Sequence, residues 1–255
     1  MPTSLMLDQH IEVLAKSGSR LADHAEAAGR DAPVPSCPAW TAAHLVAHEG
    51  MVHRWAAAHL RGGDLSNVPL QSQVVNDEPD LFGWFRDGLV DLLEAIADAP
   101  HDLKAMVFLR DAPAPRRFWA RRQAHETTIH AADAQAAELG RLPTTAEVGA
   151  STELAVDGID ELVCGFLPRG KTSSLAELAP CTIVIAPSDA PQAWTLTVGD
   201  GPLLAEPGRA DDADATFRGT AAGLYLGLWN RGEDFTVDGR AGVLAEWRAS
   251  QRVTW

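Results

Sequence analysis

The sequence contains few cysteines and lacks the cysteine spacings that commonly bind zinc. Its three cysteines, Cys37, Cys164 and Cys181, are odd in number and include no Cys-x-x-Cys pair. A fold held by several disulfides and a cysteine-rich zinc site are therefore both disfavoured. We expect a protein of a reducing, cytoplasmic compartment.

The sequence also lacks long apolar stretches and an excess of positive charge. No run approaches the roughly 18 apolar residues of a membrane-spanning helix, and the opening segment MPTSLMLDQH has no basic and apolar signal-peptide pattern. We expect a protein that is neither exported nor membrane-bound. The formal net charge of -14 argues against a nucleic-acid partner, because phosphate recognition requires concentrated Lys and Arg. The one dense arginine cluster, at residues 116–122, is typical of a solvated helix face.

Histidine is absent from the last 125 residues of the chain. All 9 histidines of this chain of 255 residues lie at or before His130. The length, together with 46% hydrophobic residues, allows one large domain or two smaller ones with apolar cores. If histidine side chains carry the chemistry, the first half of the chain contains the site.

The first half of the sequence predicts four helices separated by segments rich in proline and glycine. Thr41 is the predicted N-cap of the second helix, because it follows the prolines of VPSCPAW. RGGDLSNVPL is a predicted loop, and the helix after it has the clearest three-and-four apolar repeat. Four such helices favour an antiparallel bundle, whose interior commonly holds metal sites. The predicted helices cover about residues 5–28, 42–60, 81–96 and 116–139.

After Pro143 the sequence changes to an α+β pattern. A helix is predicted over residues 145–166 and a final one around Val243–Trp247. Short strands are predicted in CTIVIA, AWTLTVG, ATFRG and FTVDG. We therefore predict an α+β protein with a helical bundle over residues 1–144 and a small α+β domain over residues 145–255.

The last helix of the predicted bundle contains AHETTIH, which is similar to the zinc-protease motif H-E-x-x-H but has the second histidine one residue late. At about 100° per residue, His125 and His130 are roughly 140° apart on a helix and cannot share a metal ion. Glu126 and His130 are only about 40° apart and can. They would supply two ligands, whereas a catalytic zinc site usually has three protein ligands.

The second predicted helix offers histidines for the third ligand. His53 lies about 140° from His48 and is expected to point elsewhere. His44 and His48 are the leading candidates, and His48 is the more central. A solvated helix face remains the alternative interpretation, because Glu and His at this spacing are common there. The face that includes His48 carries His44, His48, Trp55 and His59.

Three segments resemble landmarks of the mycothiol-dependent maleylpyruvate isomerase family, part of the DinB-like group of four-helix metal proteins. They are VPSCPAWTAAHLVAHEGMVHRWAA, FWARRQAHETTIHAADAQAAELG and GLYLGLWNRGEDFTVDGRAGVLAEW. They occur in the family's order and span most of the chain. The resemblance implies a DinB-like four-helix bundle followed by a small α+β domain.

The resemblance also implies a set of site residues. The family's metal ligands are one histidine on the second helix and an E-x-x-x-H pair on the last, which match His48, Glu126 and His130. The family's C-terminal arginine, implicated in activity, is matched by Arg231 in LWNRG. The sequence departs from the family at Glu49, where an apolar residue is usual.

Two residues beside the predicted ligands are candidates for supporting roles. Asp133, three residues after His130, would orient a metal-bound imidazole. Arg122, four residues before Glu126, or Arg231 would hold a substrate carboxylate through paired hydrogen bonds.

The implied activity is metal-dependent and uses mycothiol as a thiol cosubstrate. A divalent metal ion, expected to be Zn²⁺, would lower the pKa of the small-molecule thiol. The thiolate would attack an electrophilic substrate, giving S-transfer or the cis–trans isomerisation of a maleylpyruvate-like substrate. The expected substrate site lies in a cleft between the two domains. The alternative is a noncatalytic small-molecule-binding protein with a structural metal site.

Overall fold

The computed structural model describes two compact units. The described residues are 5–109 and 111–250. The first unit comprises residues 6–107 and 113–143. Within the described residues, the second unit comprises Leu5, 108–109, 111–112 and 144–250.

Four long helices and one short helix make up the first unit. They are α1 (Leu7–Ala28), α2 (Ala42–Arg61), the short α3 (Gln71–Asp77), α4 (Leu81–Asp98) and α5 (Pro115–Leu139). α1 packs chiefly against α5, and α2 packs chiefly against α4. Leu14, Leu45 and Phe85 are fully buried in this unit. The four predicted helices are therefore present, whereas α3 was missed because its short polar sequence has no apolar repeat.

The ends of these helices follow from local sequence. The backbone N–H and the hydroxyl of Thr41, the N-cap of α2, lie 3.3 and 2.9 Å from His44 Nδ1. α2 ends at Gly62 and α5 at Gly140, both in the left-handed conformation that glycine adopts without a steric penalty. A short 3₁₀ turn, Leu65–Asn67, lies within the predicted loop after α2.

The helix predicted over residues 145–166 is interrupted in the structure. Gly149 ends the first segment with a φ of 67°, and the Ser151 hydroxyl accepts a hydrogen bond from the backbone N–H of Leu154 to begin the next. The prediction was correct in helical character and wrong in continuity. The segments are α6 (Thr145–Val148), α7 (Thr152–Asp160) and a π-helical stretch (Glu161–Phe166).

The second unit contains a five-stranded mixed sheet. Its strands are β1 (Cys181–Pro187), β2 (Trp194–Val198), β3 (Leu204–Pro207), β4 (Ala215–Gly219) and β5 (Phe235–Gly239). Their spatial order is β3-β2-β1-β4-β5, with β1 parallel to β4 and the other neighbours antiparallel. Four strands coincide with the predicted ones. β3 was missed because it is largely exposed and has no alternating pattern.

Two further helices complete the second unit. The apolar segment TAAGLYLGLW forms α8 (Ala221–Leu228), every residue of which is buried. α9 (Val243–Ser250) covers the predicted final helix. The predicted α+β fold is thus confirmed. Within residues 5–109 and 111–250, no helix combines the length and apolar character that crossing a membrane would require.

Candidate metal centre

α5 is unusual because its polar residues are buried on every side of the helix. All residues from Phe118 to Ala137 are buried. Buried charges require hydrogen bonds, opposite charges or a metal ion, since desolvation otherwise makes them costly. Arg121 and Arg122 are each only 1% exposed, which corrects the expectation that the arginine cluster lies entirely on a solvated face.

The predicted ligands His48, Glu126 and His130 lie together in the first unit. Glu126 Oε1 is 3.9 Å from His48 Nε2 and 3.5 Å from His130 Nε2. The two imidazole rings are 5.2 Å apart and nearly perpendicular, at 75°. The pairing of Glu126 with His130 follows from their four-residue spacing, whereas His48 comes from α2, which also packs against α5.

The 3.5 Å distance from Glu126 Oε1 to His130 Nε2 fits a divalent metal ion, and the 3.9 Å distance to His48 Nε2 is slightly longer than such an ion requires. Two ligand atoms that each lie about 2.0–2.2 Å from a tetrahedral ion are about 3.3–3.6 Å apart. Glu126 Oε1 is also buried and accepts no hydrogen bond within the described part of the chain. Two nitrogens and one carboxylate oxygen form a donor set that is common at catalytic zinc sites.

Arg122 holds the other oxygen of the Glu126 carboxylate. Its Nη2 donates a hydrogen bond of 2.8 Å to Glu126 Oε2. Burial opposes the ionisation of Glu126, but the Arg122 guanidinium and the facing imidazoles hold its pKa well below the usual value. Arg122 therefore keeps Glu126 ionised and leaves Oε1 directed at the two histidines.

Asp133 holds His130 from the side opposite Glu126. His130 Nδ1 lies 2.9 Å from Asp133 Oδ2, so Nε2 faces Glu126. Burial lowers the pKa of His130, but its hydrogen bond to Asp133 and the nearby carboxylates of Glu126 and Glu49 outweigh that effect and raise it to about 10. A carboxylate on the far nitrogen of an imidazole is the usual support of a metal-binding histidine.

The loop between α1 and α2 completes this arrangement. The Ser36 hydroxyl donates a hydrogen bond to Asp133 Oδ1, and Cys37 Sγ lies 3.8 Å from Asp133 Oδ2. The Trp40 ring lies 4.9 Å from that of His48 and 6.2 Å from that of His130. Sequence reasoning missed these three residues, although VPSCPAW is part of the first family landmark.

Glu49 is the main feature of the cluster that the sequence did not predict. Its side chain is fully buried, and a carboxylate oxygen lies within 4.8 Å of ligand atoms of the three predicted metal ligands. Burial raises its pKa, but the hydrogen bond and charge of His53 outweigh burial and lower it below the usual value. On a helical wheel Glu49 is about 100° from His48, so its proximity to the cluster could not be read from spacing.

The remaining histidines of the first unit have other surroundings. His44 contacts the N-cap of α2, and the ring of His59 stacks on Trp119 at 5.1 Å. His53 Nε2 lies 2.9 Å from the Thr127 hydroxyl and 3.1 Å from Glu49 Oε1. The ring of His125 faces that of His10 at 6.2 Å.

Arg231, the predicted C-terminal arginine, belongs to the second unit. Its Nη1 donates a hydrogen bond of 2.7 Å to the carbonyl of Trp229, and its backbone N–H bonds to Leu226 O. It follows the end of α8 and is half-buried.

The fold and the cluster define a class of protein: a helical unit with a candidate metal centre, followed in sequence by an α+β unit. Residues 13–135 match the model of the mycothiol maleylpyruvate isomerase N-terminal domain. Residues 153–246 match the model of the MDMPI C-terminal domain. Together these ranges cover most of the chain. The chain therefore belongs to the mycothiol-dependent maleylpyruvate isomerase family, a family of enzymes.

Solved structures agree with this fold. The chain is similar to a crystal structure of the mycothiol-dependent maleylpyruvate isomerase, with a TM-score of 0.64, 14% identity, and coverage of 93% of this chain and 96% of that chain. A histidine-to-alanine mutant of that isomerase gives a TM-score of 0.61, with the same identity and coverage. No curated protein sequence matches the chain significantly.

Proposed function

We propose that this protein is a metal-dependent enzyme that uses mycothiol as a thiolate. The observation that carries the proposal is the convergence of His48, Glu126 and His130 at distances close to those of the ligands of a tetrahedral ion. The choice of mycothiol as the thiol, and of the reaction class, is inferred from membership of the isomerase family. Zn²⁺ is the proposed ion, because two imidazoles and a carboxylate are donors that it commonly takes in catalytic sites.

The chain's own residues would hold and shield this centre. His48, Glu126 and His130 would bind the ion, which would lower the pKa of a coordinating thiol. Asp133 would keep Nε2 of His130 directed at the centre, and Arg122 would do the same for Glu126 Oε1. Because its guanidinium already holds Glu126, we assign Arg122 a positioning role. Arg231 remains the proposed group for an anionic substrate carboxylate.

Two reactions follow from the same activated thiol. In an isomerisation, the mycothiol thiolate would add to the electron-poor double bond of a maleylpyruvate-like substrate. Rotation about the resulting single bond would precede release of the thiolate and re-formation of the double bond. In an S-transfer, the sulfur would stay attached to the electrophile. The family name favours isomerisation.

The direct test incubates zinc-loaded protein with mycothiol and either maleylpyruvate or a panel of electrophiles. Chromatography would detect isomerised product, and mass spectrometry would detect sulfur conjugates. We expect His48→Ala to abolish turnover and His44→Ala, one turn earlier on α2, to retain it. The absence of product and conjugate with metal-loaded wild-type protein would refute the proposed enzyme.

One observation favours a second candidate function, the binding of an apolar small molecule. A cavity of about 270 Å³ in the second unit is lined mainly by apolar side chains, among them Leu162, Phe166 and Trp229. Small-molecule sites are typically concave and lined mainly by apolar side chains. Retention of such a ligand by native mass spectrometry, together with inactivity towards all electrophiles, would favour this candidate.

A further inference from the structure

Glu49 occupies a position where the family resemblance leads to the expectation of an apolar residue. It follows His48 directly on α2, and its side chain has no exposure to solvent. A buried carboxylate carries a large desolvation cost unless hydrogen bonds, a charge or a metal ion offset it. The contacts of its two oxygens therefore indicate its role.

One oxygen of Glu49 is held by protein groups. The Thr127 hydroxyl donates a hydrogen bond of 2.6 Å to Oε1, and His53 Nε2 lies 3.1 Å from the same atom. Thr127 belongs to α5 and His53 to α2, so the carboxylate is fixed from both helices that carry the predicted ligands.

The other oxygen of Glu49 is buried and accepts no hydrogen bond in residues 5–109 and 111–250. Glu126 Oε1 is in the same situation. The four-residue cluster places one ligand atom each from His48, Glu49, Glu126 and His130 within 4.8 Å of one another. Two buried carboxylates, each with one oxygen that accepts no hydrogen bond, lie beside two imidazoles, and a single cation would satisfy such an arrangement.

We propose that Glu49 is a fourth protein ligand and that the centre has two histidine and two carboxylate donors. This inference rests on the metal centre proposed above. A second carboxylate adds a hard, anionic oxygen. Because such oxygens suit Mn²⁺, this centre should bind Mn²⁺ more tightly than a centre with one carboxylate would. Glu49 would thus determine metal preference, and an incoming thiol would take a fifth position.

The test compares metal affinities of wild-type protein and Glu49→Gln after removal of bound metal with a chelator. Mn²⁺ and Zn²⁺ affinities would be measured by competition with an indicator dye. We expect Glu49→Gln to weaken Mn²⁺ binding by at least about tenfold and Zn²⁺ binding by less. Absorption of the Co²⁺-loaded protein gives an independent readout, because fewer ligands intensify its visible bands.

Two further variants keep the test decisive. Glu49→Leu introduces an apolar residue of similar size and should change metal preference in the same direction. Glu138→Gln is the matched control, because it alters another glutamate–histidine pair of the helical unit, with His24, outside the cluster. It should leave both affinities and the Co²⁺ spectrum unchanged.

The outcomes separate this inference from the metal centre itself. Wild-type protein that binds no divalent ion would overturn both proposals. Wild-type protein that binds one ion, with affinities and a Co²⁺ spectrum that Glu49→Gln does not change, would overturn only the role of Glu49. If Glu49→Gln changed only the thermal stability, the role of the carboxylate would be to bind His53 and Thr127. That result would also overturn the proposal that Glu49 is a metal ligand.

Discussion

α4 and α5 are neighbours in sequence and in the same helical unit, but their side chains are distributed in different ways. α4 buries an apolar stripe that includes Leu89, Leu92 and Ile96, and it exposes the polar residues between them. α5 buries Glu126 and Asp133 together with its apolar residues. The sequence of α4 is explained by packing, whereas the sequence of α5 is explained only by partners for its buried charges.

The difference favours α5 as the helix that carries the candidate site. Apolar burial contributes stability wherever it occurs, but a buried charge contributes only when it is matched. α5 retains several buried charges where apolar residues would pack at less cost. Its polar side chains are therefore best understood through the groups that they bind. Substitutions in the two helices should have correspondingly different consequences.

The largest effect is expected for Glu126→Ala in α5. It removes the carboxylate to which Arg122 Nη2 donates a hydrogen bond, and loss of one partner of a buried pair typically costs about 3–5 kcal/mol. Metal binding should be lost as well. Denaturant unfolding of the metal-free protein measures the first effect, and elemental analysis measures the second. A loss below about 1 kcal/mol would contradict the buried pair.

Leu92→Ala in α4 is expected to reduce stability without affecting the metal. Leu92 is fully buried, and truncation of such a residue usually costs about 2–5 kcal/mol because a cavity remains. Val90→Ala, at a position that is 53% exposed, is the control and should change stability by less than about 0.5 kcal/mol. If folded Leu92→Ala protein bound a different amount of metal, α4 would also affect the metal centre. The proposed difference between α4 and α5 would then be wrong.

Asp133→Asn should preserve the fold and weaken metal binding. The amide keeps the shape of the side chain but lacks the charge that orients His130, and such changes typically cost about 10–100-fold in metal affinity. Competition with a chelator measures the change. Unaltered affinity would show that Ser36 and the surrounding packing suffice to orient the imidazole.

The smallest effect concerns Asp234, which directly precedes β5 and whose carboxylate binds Thr145 at the start of α6. Hydrogen bonds from the Thr145 hydroxyl and backbone N–H lower the pKa of Asp234. Because the folded-state pKa is the lower one, this stabilisation is present above the unfolded-state value and is lost as the pH falls through the folded-state value. Asp234→Ala should lower Tm slightly at pH 7, and the difference should shrink as the pH falls below the ordinary Asp pKa of about 3.9. A difference that persists in acid would exclude this carboxylate as its source.

Local rules explain which parts of the fold and site were predictable. Glu126 and His130 share a face because helical geometry fixes their spacing, and Thr41 marks the start of α2 because capping is local. The strands Trp194–Val198 and Cys181–Pro187 follow from their apolar and alternating residues.

The rest depends on how the helices pack. Glu49 joins the cluster because Thr127 on α5 holds its carboxylate, a contact that no spacing within α2 reveals. The burial of Arg122 likewise depends on surroundings that the arginine-rich sequence does not show. The π-helical stretch Glu161–Phe166 has no residue pattern that distinguishes it from ordinary helix.

The central claim is that the buried polar face of α5 and His48 of α2 form one metal centre. Elemental analysis of chelator-treated protein after reloading with Zn²⁺ and removal of excess ion tests it most directly. We expect about one Zn²⁺ per chain in the wild type, in keeping with a single three- or four-ligand site, and almost none in His130→Ala. A wild type that retains no zinc, or a His130→Ala variant that retains as much as the wild type, would contradict the claim.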